Sequence, residues 1–129
     1  MEEKNQKKIK ELKAVLKKIP NEFKEKDYTI DLFTKELTAL CPFTGQPDFY
    51  EIHIHYIPNK ELLELKSLKF YLQGFRDVKT THETLLNIIF EDFVNLVEPK
   101  YLKIKLYVNV RGGIKTIVAR EQGSYLEKG

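Results

Sequence analysis

Cys41 is the only cysteine in the 129-residue chain, and it opens the run Cys41-Pro42-Phe43-Thr44-Gly45-Gln46-Pro47-Asp48. Two prolines and a glycine stop regular structure there, so the run reads as a loop, with a carboxylate seven residues beyond the thiol. If the loop folds back, thiol and carboxylate meet. A free thiol titrates near ~8.5 and only the thiolate is nucleophilic, so a nearby proton acceptor helps to generate it. The same carboxyl can later return a proton to the reacting group. Taken singly, each residue has a plainer reading: Cys41 as a small buried hydrophobe, Asp48 as a turn or capping residue.

The segment Glu64-Leu65-Lys66-Ser67-Leu68-Lys69-Phe70-Tyr71 sets Lys66 and Lys69 on one helical stripe beside a leucine stripe. Alone, that is the solvated side of an amphipathic helix; its chemical reading is a pair of fixed cations for the phosphates of a ligand. Arg111, followed by Gly112 and Gly113, is either an exposed turn residue or a bidentate phosphate contact. Glu83, next to His82, either complements a helix dipole or accepts the paired N–H donors of a guanine-like ring. His53 and His55 alternate on one strand face. Two imidazoles with no visible third ligand fit a solvated or interface face better than a metal site. Neither Gly-x-Gly-x-x-Gly nor Gly-x-x-x-x-Gly-Lys-Ser/Thr occurs among the six glycines, so any dinucleotide must be held by side chains.

The apolar pattern says which elements position these residues. Ile9, Leu12, Leu16 and Ile19 predict a charged helix ending at Pro20, and Tyr28, Ile30 and Leu32 predict a strand to about Thr34. Over 49–57, Ile52, Ile54 and Tyr56 face one way while Glu51, His53 and His55 face the other. Leu65, Leu68, Leu72 and Phe75 give a helix from about Lys60; Leu85, Leu86, Ile89, Phe93 and Leu96 give another, from about Thr81 to before Pro99. Strands over 101–110 and 114–120 join at Arg111-Gly112-Gly113. The order is strand, strand, helix, helix, strand, strand: a two-layer α+β unit. Its small sheet has open edges, which neighbouring subunits could close into a barrel.

Composition limits the function further. Residues 1–26 carry nine Lys against five Glu, a balance of +4, whereas the remaining 103 residues balance at −1. The chain therefore divides into a charged N-terminal extension, 1–26, and one folded domain, 27–129, with no basic stripe for nucleic acid. No apolar run is long enough for a membrane span, and the charged N-terminus lacks the apolar core of a secretory signal. A lone thiol rules out an intramolecular disulfide framework and points to the cytoplasm.

Three of these stretches together resemble one family. Leu40 to Phe49 is similar to the nucleophile loop of the NADPH-dependent 7-cyano-7-deazaguanine reductases, the QueF nitrile reductases. Glu64 to Tyr71 is similar to that family's lysine signature, with Phe70 where Leu or Tyr is usual, and His82-Glu83 and Arg111-Gly112-Gly113 follow in matching order. The resemblance runs from about Asp31 to Gly123. It implies the tunnelling fold (ββααββ), with subunit sheets joined into a barrel, two stacked pentamers, and active sites between subunits. It also implies reduction of the nitrile of 7-cyano-7-deazaguanine, as the free base, to the aminomethyl group on the way to queuosine in transfer RNA. In that reading Cys41 forms a covalent thioimide and Asp48 moves protons. Leu63, Glu64, Leu65, His82 and Glu83 hold the substrate. Lys66, Lys69 and Arg111 serve NADPH, two of which are consumed per nitrile, and no metal is required. The competing readings are a zinc-dependent cyclohydrolase-like enzyme, whose usual ligand set a single cysteine leaves incomplete, and a non-catalytic purine-binding ring.

Overall fold

The structure is a computed structural model that describes residues 2–124, without the side chain of Arg111. Its sheet is built around β3 (Pro47–Ile57), whose alternation turns Asp48, Tyr50, Ile52, Ile54 and Tyr56 inward, with Glu51, His53 and His55 on the other face. β3 lies between β2 (Ile30–Leu40) and β5 (Tyr101–Arg111), and β6 (Ile114–Gly123) completes a four-stranded sheet ordered β2-β3-β5-β6, antiparallel throughout. β2 continues past Thr34, where the sequence pattern fades, to Leu40. A bulge between Thr34 and Leu37 resets the register there, so that Leu37 and Ala39 become the buried positions.

Two helices cover the inward face, α2 (Leu65–Gln73) over β2 and α3 (His82–Val97) over β5 and β6. Tyr71, Phe75, Ile89, Phe90 and Phe93 are fully buried against Ile52, Ile104 and Leu106. Each such side chain contributes about 1.5–3 kcal/mol relative to exposure. Thr81 caps α3 by accepting the Thr84 N–H at 3.2 Å, and the helix stops at Val97, before Pro99. Among the described residues no helix is long and apolar enough to cross a membrane.

Two boundaries depart from the sequence pattern. α2 begins at Leu65 rather than Lys60, because β4 (Glu61–Leu63) pairs with β1 (Lys18–Pro20) and Glu64 caps the helix. Leu65 is consequently exposed in the first turn, and Tyr71 takes the core position. The N-terminal helix, α1 (Glu3–Val15), stops short of Pro20 for the same reason, since Lys18–Pro20 is already strand. It docks on the core through Leu12 and Leu16. The contact with Gly74, which joins α2 to a 3-10 turn (Gly74–Asp77), is so close that a Cβ there would lie 2.0 Å from Leu12 Cδ2.

One buried polar pair ties α2 to α3: the Tyr71 hydroxyl donates to Asp92 Oδ2 at 2.6 Å. Burial pushes the Asp92 carboxyl up, and the Tyr71 hydrogen bond offsets only part of that. A raised folded-state pKa means that ionising Asp92 opposes folding. Its contribution is complete below about pH 4 and is lost as pH rises through the folded-state value. Asp92→Asn keeps an acceptor for Tyr71, so its thermal stability should vary less between about pH 4 and 7 than that of the parent. Tyr71→Phe strands the carboxylate and should destabilise the fold by about 1–3 kcal/mol in urea denaturation.

Candidate active site

The run from Cys41 to Gln46 is the loop of the β2–β3 hairpin. The Cys41 N–H donates to Gln46 O at 2.8 Å and the Gly45 N–H to Cys41 O at 2.8 Å. Gly45 sits at φ +72, where a side chain would be strained. Pairing of Leu40 with Pro47 and of Ala39 with Asp48 then sets the thiol and the carboxylate at the same end of the hairpin, Cys41 partly buried and Asp48 fully so.

The thiol is held below its usual range. The largest cause is the Thr44 hydroxyl, followed by the backbone N–H groups of Thr44 and Phe43, all favouring the thiolate. Asp48 acts in the opposite sense, its negative charge disfavouring a second anion beside it.

A third segment reaches this end. The Leu40 N–H donates to Val78 O and the Thr80 N–H to Leu40 O, both at 2.9 Å, so residues 78–80 lie as a short parallel bridge beside Leu40. That bridge delivers His82, the first residue of α3. Its Nδ1 lies 2.6 Å from the hydroxyl of Tyr50, which is buried two residues beyond Asp48 on the same strand face. Neither Thr44 nor Tyr50 was legible as a site residue. Tyr50 reads as a core aromatic, and only its period-two step from Asp48 marks it.

Glu83, the residue after His82, is exposed and lines a groove of about 600 Å³ between α1 and α3 with Lys10, Lys13 and Asn87.

Leu63, Glu64, Leu65 and Lys66 lie at the other end of the molecule. Leu63 donates its N–H to the Tyr56 hydroxyl at 3.2 Å, which ties the start of α2 to the far end of β3. Asp48 and Tyr56 are eight residues apart on one strand, about 27 Å at the usual rise. Within one chain, therefore, Leu63, Glu64, Leu65 and Lys66 do not meet Cys41. The Glu64 carboxylate accepts from Lys66 N at 2.7 Å and Ser67 N at 2.8 Å, and these bonds hold it below the usual carboxylate range. Lys66 is exposed, while Lys69 lines an apolar groove of about 330 Å³ between β2 and α2 with Leu32, Leu65, Leu68 and Leu72. Arg111 ends β5 three residues beyond Val108, the partner of Tyr50, and so lies at the Cys41 end of the sheet; its side chain lies outside the described residues.

His53 and His55 occupy the sheet face opposite the helices, where His53 Nε2 meets Glu51 and His55 Nδ1 meets Asp31. Among the described residues no three His, Cys, Asp or Glu side chains converge on a common point.

A family model described as QueF-like protein matches residues 47–126, beginning just after the Cys41 loop. The NADPH-dependent 7-cyano-7-deazaguanine reductase of Halorhodospira halophila is 50% identical over 97 residues, covering 75% of this chain and 82% of the relative. The protein of the same name from Alkalilimnicola ehrlichii is 45% identical over 106 residues, covering 82% of each chain. The crystal structure of the archaeosine synthase QueF-Like in the apo form shares the fold, with a TM-score of 0.70 over 76% of this chain and 96% of that one, at 24% identity. With a family model over more than half its length and relatives of this identity over most of it, the chain belongs to the QueF-like family.

Proposed function

We propose that this chain reduces the nitrile of 7-cyano-7-deazaguanine to the aminomethyl group with NADPH, in queuosine biosynthesis, through a thioimide on Cys41. The observation that carries the mechanism is the hairpin that sets Cys41 beside Asp48 while the 78–80 bridge brings His82 to the same end. The names of the relatives supply the substrate and the reductant.

Cys41 gives its proton to Asp48, and the thiolate forms a bond to the nitrile carbon as one C–N π pair moves to nitrogen. Asp48 returns its proton to that nitrogen, whose charge would otherwise be costly. Bound NADPH supplies hydride, twice per nitrile, because nitrile to amine is a four-electron change. Cys41 leaves as thiolate when the reduced adduct collapses to the imine; one proton from water reaches nitrogen with the second hydride and another restores the thiol for the next cycle. Glu83, with His82 beside it, accepts the paired ring N–H donors, and the segment Leu63 to Leu65 completes the ring site.

The residues present fit NADPH. Glu64 already occupies the N–H groups of Lys66 and Ser67, so the phosphates fall to the Lys66 and Lys69 side chains, with Arg111 as a third cation. Lys69 sits on the rim of an apolar groove that can take a flat ring.

The separation of about 27 Å between the two ends implies that one catalytic centre draws its Cys41 end and its lysine end from different copies. A homo-oligomer of the tunnelling type, with two stacked pentamers, meets that need by joining the edge strands β2 and β6 of neighbours into a barrel. Exposed Phe33, Ile114 and Ile117 on those edges favour such a closure. A reducing cytoplasm suits a thiol nucleophile.

Spectrophotometry of protein, 7-cyano-7-deazaguanine and NADPH should show two cofactors oxidised per nitrile consumed; a ratio of one would refute the four-electron reduction. Cys41→Ala should lose turnover by on the order of 10³-fold or more and form no adduct by mass spectrometry. In iodoacetamide titrations, Thr44→Val should move the thiol midpoint up and Asp48→Asn should move it down. Asp48→Asn should nevertheless lose about 10²-fold in kcat with little change in KM, because a more abundant thiolate without a proton donor does not turn over. Mixing subunits carrying Cys41→Ala with subunits carrying Lys66→Ala and Lys69→Ala should regain activity that neither has alone. Persistent inactivity of the mixed oligomer would mean that each centre is built from one chain.

A further inference from the structure

Asn5 is 6% exposed and lies near the start of α1, within the stretch that the sequence reads only as a charged extension. Its side chain is spent on one distant residue: Nδ2 donates to Lys79 O at 2.7 Å, and Oδ1 accepts the Lys79 N–H at 3.4 Å. The flanking residues Val78 and Thr80 use their backbone groups on Leu40, at 2.9 Å each. The 78–80 segment is therefore held on both edges, by the residue before Cys41 on one side and by an asparagine amide acting as a surrogate strand on the other.

The far end of the same N-terminal stretch is fixed as well. The Glu64 N–H donates to Lys17 O at 3.0 Å, and the Lys17 N–H donates to Ser67 Oγ at 2.9 Å. Between them α1 runs for 13 residues, about 20 Å of helix, wedged against Gly74 by Leu12. Its two anchors thus coincide with the Cys41–His82 end and the Glu64–Lys66 end of the chain.

We propose that α1 is a brace for the active centre and that Asn5 is a positioning residue, acting through the 78–80 segment on Cys41, His82 and Glu83. The inference rests on the proposed role of Cys41 and extends it to a helix that touches no reacting atom. If the brace were only a stabilising appendage, breaking it would lower the melting temperature and leave the site's behaviour alone. If it positions the site, the Cys41 end alone responds.

The test uses the full-length chain carrying Asn5→Ala, with Lys7→Ala on the exposed side of the same helix as control. Alkylation of Cys41 by iodoacetamide at pH 7 should slow about threefold or more, as the loop loses its register with its thiolate-favouring donors. KM for the nitrile should rise about fivefold, while KM for NADPH stays within about twofold because the lysine end keeps its own anchor. Should Asn5→Ala fail to fold, Asn5→Asp carries the test: it can still accept from Lys79 N–H but meets Lys79 O with a repelling oxygen, and the same changes are expected. A folded variant with the parent's alkylation rate and both KM values, whatever its melting temperature, overturns the proposal. The alkylation readout needs no turnover, so it stands apart from the reductase reading: absence of nitrile reduction in the parent protein would remove that reading and leave the brace to be judged by the thiol.

Discussion

Leu40 is bonded on the edge that points away from its own hairpin, and the candidate site depends on that constraint. Its N–H and C=O go to Val78 and Thr80, so the pair it makes with Pro47 across the hairpin asks for no ladder donor. That is the position in a strand where a proline, which has no N–H, does no harm. The next pair outward, Cys41 with Gln46, is hydrogen-bonded, and Gly45 turns the chain between them. Three stretches far apart in sequence are thereby fixed at one point: the end of β2, the start of β3 and the approach to α3. Without the bridge nothing would bring His82 over the hairpin loop.

The same architecture forces the other candidates away. α2 starts where β3 ends and runs back along β2, so its first turn, with Glu64 and Lys66, lies a full strand length from the thiol. No side chain spans that distance; a lysine reaches about a quarter of it. The geometry of one chain therefore leaves two incomplete arrangements, an acid–thiol end and a cation end, and a proposal that uses both must use two copies. The sheet points the same way, since among the described residues no strand pairs with the outer edge of β6, and β2 is bridged on its outer edge only at Leu40.

Much of this was legible from residue types alone. The prolines and glycine after Cys41 announce the loop, the alternation from Glu51 to Tyr56 announces β3, and the Gly112-Gly113 pair announces the β5–β6 turn, because each is a local rule of backbone and period. The failures are equally physical. Glu61–Leu63 is strand only because Lys18–Pro20 lies beside it, and three residues carry no period of their own. β2 hides its second half because the bulge after Thr34 shifts the buried positions by one. Asn5 reads as one more polar residue in a lysine-rich helix, and its partner is 74 residues away. The capping of α2 by the Glu64 carboxylate is hidden too, because Glu-x-x-Ser is too common a spacing to announce it.

The electrostatics of the thiol bear on what Asp48 is for. A carboxylate beside a cysteine does not by itself make a better thiolate; here its charge works against one, and the Thr44 hydroxyl and two backbone N–H groups supply the stabilisation. Two anions side by side repel, so forming the thiolate is easier when the proton it loses passes to that neighbour. Of the two ways to place that proton, thiolate with carboxylic acid is the reactive one for a nitrile. Sulfur can attack carbon only as negative charge builds on nitrogen, and the acid stands ready to neutralise it. The Thr44 hydroxyl and the backbone donors stabilise the sulfur anion that this transfer leaves behind. An arginine in place of Asp48 would stabilise the thiolate, but a guanidinium that keeps its protons would leave the nitrogen without one.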